Sequence, residues 1–166
     1  HGEPSGLDSR VAAQGGVLRF VRGAAAEPLP IADCLPLVLI PSGIPRSTAV
    51  QVAKVRARLE RNPAIIRPVL GALAAAVDAG IDALARADLD ALGEIFNIAH
   101  SLLGALDVST PALDALQAAS LTAGARGAKL TKTGDNGCLL TLPPADPGPL
   151  LEAFRIYTPL AVEVQP

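Results

Sequence analysis

AKLTKTGDNGCLLTL, residues 128–142, decides how the rest of the chain is read. AKLTK (128–132) and CLLTL (138–142) are short runs that read as strands, joined by TGDNG (133–137). Asn136-Gly137 is a tight-turn dipeptide, because both residues tolerate the left-handed backbone that such turns require. The stretch predicts two neighbouring antiparallel strands.

Outward from this pair, further strands lie at both ends of the chain. LPLVLIPSG (35–43) contains a continuous apolar run, Leu37 to Ile40, bounded by prolines, the pattern of a buried strand. GGVLRF (15–20) reads as a brief strand after a Gly-Gly break, and LAVEV (160–164) alternates as a final strand. GAAAEPLPIAD (23–33) and PPADPGP (143–149) read as loops. Between the strands lies a helical block. Ser47 to Leu59 has helical composition, with Lys54, Arg56, Arg58 and Glu60 on its charged side. Ile65, Ile66, Val69, Leu70, Leu73, Val77, Ile81 and Leu84 follow helical spacing behind Asn62-Pro63, a cap and first-turn proline. A further stripe from Leu89 to Leu106 opens on Asp88, and Ser109-Thr110-Pro111 starts a helix that ends at Gly124. Each stripe is expected to face the core. Pro4–Ala13 predicts a turn into a short helix, and Leu150–Phe154 another short helix. Strands, a helical block, then strands again make an α+β fold, with helices packed on one face of a mostly antiparallel sheet.

Composition narrows the function. The chain has 166 residues, half of them apolar but only 2% aromatic, so the core must be built from Ala, Leu, Val and Ile. A net charge of -2 offers no basic surplus for a nucleic acid, and the four aromatics are too scattered to stack bases. No uninterrupted apolar run reaches the length of a membrane span. Cys34 and Cys138 have no metal-type spacing, which predicts reduced thiols and a cytoplasmic location. The chain starts at His1 and contains no methionine, as expected of a piece of a longer protein.

Three polar segments could carry chemistry. In HGEPSGLDSR (1–10), Pro4 and Gly6 hold Asp8 near a helix N-terminus, where it is either a cap or a placed carboxylate. In PRSTAV (45–50), Arg46, Ser47 and Thr48 follow a strand and precede a helix; this is an anion site or an ordinary N-cap. In KLTKTGDNGC (129–138), a Gly-containing loop flanked by Lys129 and Lys132 is a phosphate cradle or a plain hairpin turn.

Together the three segments resemble one family. HGEPSGLD is similar to the HGxPSGxD segment of mevalonate kinases, PRST to the segment after their central strand, and AKLT..G..GC to the third motif of the GHMP kinases. FNIAHSLLGALDVSTPALDAL (96–116) resembles the family's intervening helix and turn, with Asn97, His100 and Leu103 in matching places. The resemblance covers nearly the whole chain. It implies the C-terminal half of an ATP-dependent kinase that phosphorylates the 5-hydroxyl of mevalonate, a step in making isoprenoid precursors. It implies that residues 1–44 end the kinase N-terminal domain, that 45–166 form the C-terminal domain, and that the 166 residues alone are inactive. Asp8 would be the catalytic carboxylate, ionised at neutral pH with an ordinary pKa of about 3.9. His1, Ser5 and Thr48 would bind substrate. Arg46, Thr131, Lys132, Thr133, Gly134 and Gly137 would bind the phosphates of ATP. Mg²⁺ and a lysine would be held by upstream segments, and self-association into a homodimer stays open. Relatives carry a glycine-rich loop where this chain has KTGDNG, which opens two other readings: a GHMP kinase for phosphomevalonate or a sugar, or a non-catalytic member of the fold.

Overall fold

A computed structural model describes residues 15–21, 23–45, 47–131 and 137–165. The expected short helix over Pro4–Ala13 lies outside them. Among the described residues the strands are β1 (Val17–Arg19), β2 (Glu27–Leu29), β3 (Leu35–Pro41), β4 (Gly127–Thr131), β5 (Cys138–Leu142) and β6 (Leu160–Val164). The helices are α1 (Thr48–Arg61), α2 (Pro63–Ala85), α3 (Leu89–Ala105), α4 (Pro111–Thr122) and α5 (Gly148–Ala153), with a 3-10 turn at Arg155–Tyr157.

The main sheet has the order β4-β5-β3-β6, and every pairing is antiparallel. β3 sits inside it because Leu37 to Ile40 offers apolar side chains to both faces. Val38 and Ile40 point one way, in line with Leu139 of β5 and with Ala128 and Leu130 of β4. They meet Leu113 and Leu116 of α4 and Leu150 of α5. Leu35, Leu37, Leu140 and Leu142 point the other way, to Ala83 and Leu84 of α2 and Leu92, Ile95 and Phe96 of α3. Ile40, Leu113 and Leu139 are wholly buried, each contributing roughly 1.5–3 kcal/mol relative to an exposed side chain.

Helix starts follow the expected chemistry at two places. The Asp88 carboxylate accepts from the Ala91 N–H at 3.0 Å, and the Thr110 hydroxyl from the Leu113 N–H at 3.3 Å with Pro111 behind it. Asn62 departs from expectation. Pro63 opens α2, but the Asn62 side chain makes no capping bond.

Three other expectations need correction. GAAAEPLPIAD is not all loop: its Glu27–Leu29 forms β2, paired to β1 with Val17 opposite Leu29. A proline is tolerated there because a two-stranded ribbon is all edge. The α2 stripe is only partly core. Ile66 is buried and Val69, Leu70 and Leu73 lie against the core, but Ile65 and Val77 are 66% and 56% exposed. Finally, α2 is long and apolar enough to cross a membrane by length and composition, because Arg67, Asp78 and Asp82 dilute it too little. A helix that packs on one core cluster through Ile66 and on the other through Ala83 is a packing element of this domain.

Candidate phosphate site at the β4–β5 loop

Two of the three polar segments meet. β4 ends at Thr131, whose partner across the ladder is Cys138. Gly137, just before β5, is buried. Its carbonyl accepts from the Ser42 N–H at 2.8 Å, and its own N–H donates to the Ile44 carbonyl at 3.4 Å. Gly137, at the entry to β5, is therefore anchored to the turn between β3 and α1. Gly43 has a φ of +67° at the crown of that turn, a conformation that costs a residue with a Cβ. The Ser42 hydroxyl accepts from the Ile44 N–H at 3.2 Å and stiffens the turn from inside.

The turn feeds α1. Ser47 occupies the N-cap position with extended backbone, yet its side chain makes no capping bond, and the first turn contains no acid. The plain N-cap reading of Ser47 therefore fails. The first-turn amides of a helix lack intrahelical acceptors and carry the positive end of its dipole. With no acid in its own first turn, this end of the helix suits an anion. Thr48 is exposed in that first turn. The structure thus brings Thr131, Gly137 and Thr48 to one end of the sheet. Asp8, His1, Ser5, Arg46, Lys132, Thr133 and Gly134 lie outside the described residues.

Lys129, two residues before the loop, faces the sheet side opposite Ala128 and Leu130. Its ammonium lies 5.7 Å from the centre of the Phe96 ring, and burial pushes its pKa below the ordinary lysine value. Among the described residues, no group of three or more His, Cys, Asp or Glu side chains could hold a metal ion. Cys34 and Cys138 are not in disulfides. Burial, followed by the charges of Glu163 and Asp33, pushes the Cys34 thiol pKa up. Cys34 lines a shallow pocket with Leu35 and Leu84, at the opposite end of β3 from the loop.

Sequence reasoning gave no role to Asn97 and His100, and both reach the strand that carries the loop. The Asn97 Oδ1 accepts from the Ala128 N–H at 3.1 Å, and the His100 Nδ1 from the Leu130 N–H at 3.1 Å. The legible signal was a polar pair, three apart, between the stripe residues Phe96 and Leu103.

Known proteins share this fold. Residues 81–159, from within α2 to just before β6, match the family of GHMP kinases C terminal domains. Mevalonate kinase of Pyrococcus horikoshii is 42% identical over 160 residues, 93% of this chain and 47% of that protein. Mevalonate kinase of Thermococcus gammatolerans is 38% identical over 98% of this chain and 50% of its own length. The crystal structure of L. major mevalonate kinase in complex with R-mevalonate superposes with a TM-score of 0.89 at 29% identity, covering all of this chain and 54% of that one. The chain spans about half the length of these relatives. Residues 81–159 carry the GHMP kinases C terminal domain, and the fold is that of this domain.

Proposed function

We propose that this chain is the C-terminal part of an ATP-dependent mevalonate kinase, which transfers the γ-phosphoryl group of ATP to the 5-hydroxyl of mevalonate. The observation that carries the reading is the pair of backbone bonds from Gly137 to the Ser42–Ile44 turn, which join the loop after β4 to the start of α1. Similarity to mevalonate kinases along 93–98% of the chain supports the choice of substrate.

In this reading the α1 amides, Arg46, Lys132 and the loop from Thr131 through Thr133 and Gly134 to Gly137 hold the phosphates. His1, Ser5 and Thr48 hold mevalonate. The 5-hydroxyl oxygen bonds to the γ-phosphorus while the bond to the bridging oxygen of the β-phosphate breaks. ADP leaves with that electron pair, and the hydroxyl proton passes to Asp8. Phosphoryl transfer needs positioning and charge stabilisation more than covalent help, so an ordinary carboxylate suffices. Mg²⁺, when bound, neutralises phosphate charge. Residues 1–44 bring Asp8 to the site and 45–166 bring the phosphate loop, with β3 of the first segment lying between β5 and β6 of the second. We place the protein in the cytoplasm, where the thiols of Cys34 and Cys138 stay reduced.

The test is mevalonate-dependent ADP release by the intact protein. Asp8→Asn should reduce turnover by a factor on the order of 1,000 with the fold unchanged by circular dichroism. Retained turnover would remove Asp8 from the mechanism. Asp135 favours a second reading, because a carboxylate in the loop repels phosphate and alters which anionic substrate is tolerated. A panel of mevalonate, phosphomevalonate and galactose separates the two, and clear preference for either of the last two decides for the second.

A further inference from the structure

We infer that Asn97 and His100 are positioning residues of the phosphate loop, acting as a surrogate outer strand that fixes β4 where the loop begins. β4 lies at the edge of the sheet and is paired on one side only, to β5. Its other edge would leave alternate N–H groups without partners. Ala128 and Leu130 are 0% and 3% exposed, so water cannot serve them. A buried N–H left unpaired is costly, because it gives up its bond to water and gains none. These are the two N–H groups that Asn97 and His100 accept.

The geometry is that of a strand replaced by a helix running in the same direction. Gly93 lies against Arg126 and Gly127, Asn97 at Ala128, and His100 at Leu130. Three helical residues advance about 4.5 Å, and two strand residues about 6.6 Å. The two acceptors, Asn97 Oδ1 and His100 Nδ1, stand the same number of bonds from the backbone, so the side-chain torsions take up the difference.

Both side chains are held from behind. The Asn97 Oδ1 also accepts from the Gln117 Nε2 at 3.1 Å, and its Nδ2 donates to the Arg126 carbonyl at 3.4 Å. The His100 Nε2 lies 3.0 Å from the Asp114 Oδ1, which also accepts from the Ser109 hydroxyl at 2.5 Å. Because the Leu130 N–H donates to Nδ1, that nitrogen must keep its lone pair. The proton then sits on Nε2 and is donated to Asp114, a tautomer assigned by the network. α4 thus sets the angle of the His100 ring, and the ring sets Leu130, the residue before Thr131.

The role in nucleotide binding rests on the kinase reading; the surrogate strand does not. Two variants of the intact protein separate the two bonds of His100. H100N puts an amide oxygen where Nδ1 stood and restores the acceptor for Leu130. H100Q keeps a donor toward Asp114 and removes that acceptor. Exchange of the Leu130 amide, followed by NMR, should stay near the parent rate in H100N and rise about tenfold or more in H100Q. The dissociation constant for ATP, by calorimetry, should follow the same order, near parent in H100N and about tenfold weaker in H100Q. Equal exchange in the two variants overturns the surrogate strand. Fast exchange in H100Q with unchanged ATP affinity overturns the positioning role while leaving the kinase reading intact. A parent protein that binds no ATP overturns the kinase reading and the positioning role, and leaves the surrogate strand to the exchange result.

Discussion

Two apolar helices of this domain meet different fates. α2 has 23 residues and buries only Ile66 and Ala83 completely, whereas α3 has 17 and buries Leu92, Gly93, Phe96 and His100. Apolar content does not separate them. α3 has a glycine that lets it touch strand backbone and two polar side chains in register with unmet N–H groups. The outer face of α2 is mostly alanine and glycine around Ile65 and Val77, and its Asp78 makes a solvent-exposed pair with Arg19 at 3.4 Å, a weak constraint. Hydrophobic residues decide that a helix can be buried; shape and polar register decide where it goes.

The largest expected effect comes from the glycine contact. A Cβ on Gly127 would strike the Gly93 carbonyl, with its carbon 2.5 Å away, and a Cβ on Gly93 would lie 2.6 Å from the Arg126 carbonyl oxygen. Both obstacles are backbone, which cannot swing aside. Gly127→Ala should cost about 3 kcal/mol in urea unfolding, the upper part of the usual overpacking range. A loss below about 1 kcal/mol would mean that α3 is held less tightly than its burial indicates.

Next is Asn97→Leu, which keeps the volume and removes the acceptor. The Ala128 N–H and the Gln117 amide then lose a partner, and about 2 kcal/mol should be lost. A neutral result would show that apolar packing alone seats α3. On α2 the sign should reverse. A Cβ on Gly71 would meet nothing within 4 Å, so Gly71→Ala should stabilise by up to about 1 kcal/mol through helix propensity. Destabilisation there would reveal a close neighbour on the outer face of α2.

The contrast also explains what could be read from sequence. β3 was legible because Leu37–Ile40 is apolar on both faces, and the β4–β5 pair because Asn136-Gly137 marks its turn. Asp88 and Thr110-Pro111 marked true helix starts because their side chains reach backbone within three residues. β2 was hidden because Pro28 argues against a strand everywhere except at an edge. The exposure of Ile65 and Val77 was hidden because periodicity shows a face but not what covers it. At the site, Thr131 and Gly137 were legible as ends of a glycine-containing loop. Asn97 and His100 were not, because their partners lie about 30 residues away in sequence and only the fold brings them into register.

The smallest effect sharpens the comparison on the far side of β4. Lys129 packs over Phe96 of α3, and burial alone lowers its pKa. The unfolded chain, with an ordinary lysine pKa of about 10.4, binds more protons than the folded one between the two values. Stability from this group therefore rises with pH across that window. Below the lowered pKa the fold carries the full cost of a desolvated ammonium, offset by roughly 0.5–1 kcal/mol from the ring. Lys129→Met keeps the stem and removes the charge, so it should raise Tm by about 2 °C at pH 7. The gain should shrink as pH rises and vanish above about 10.4, where the parent lysine is neutral in both states. A variant that melts below the parent at every pH would show that the ring contact outweighs desolvation, making Lys129, like Asn97 and His100, a polar residue that seats α3.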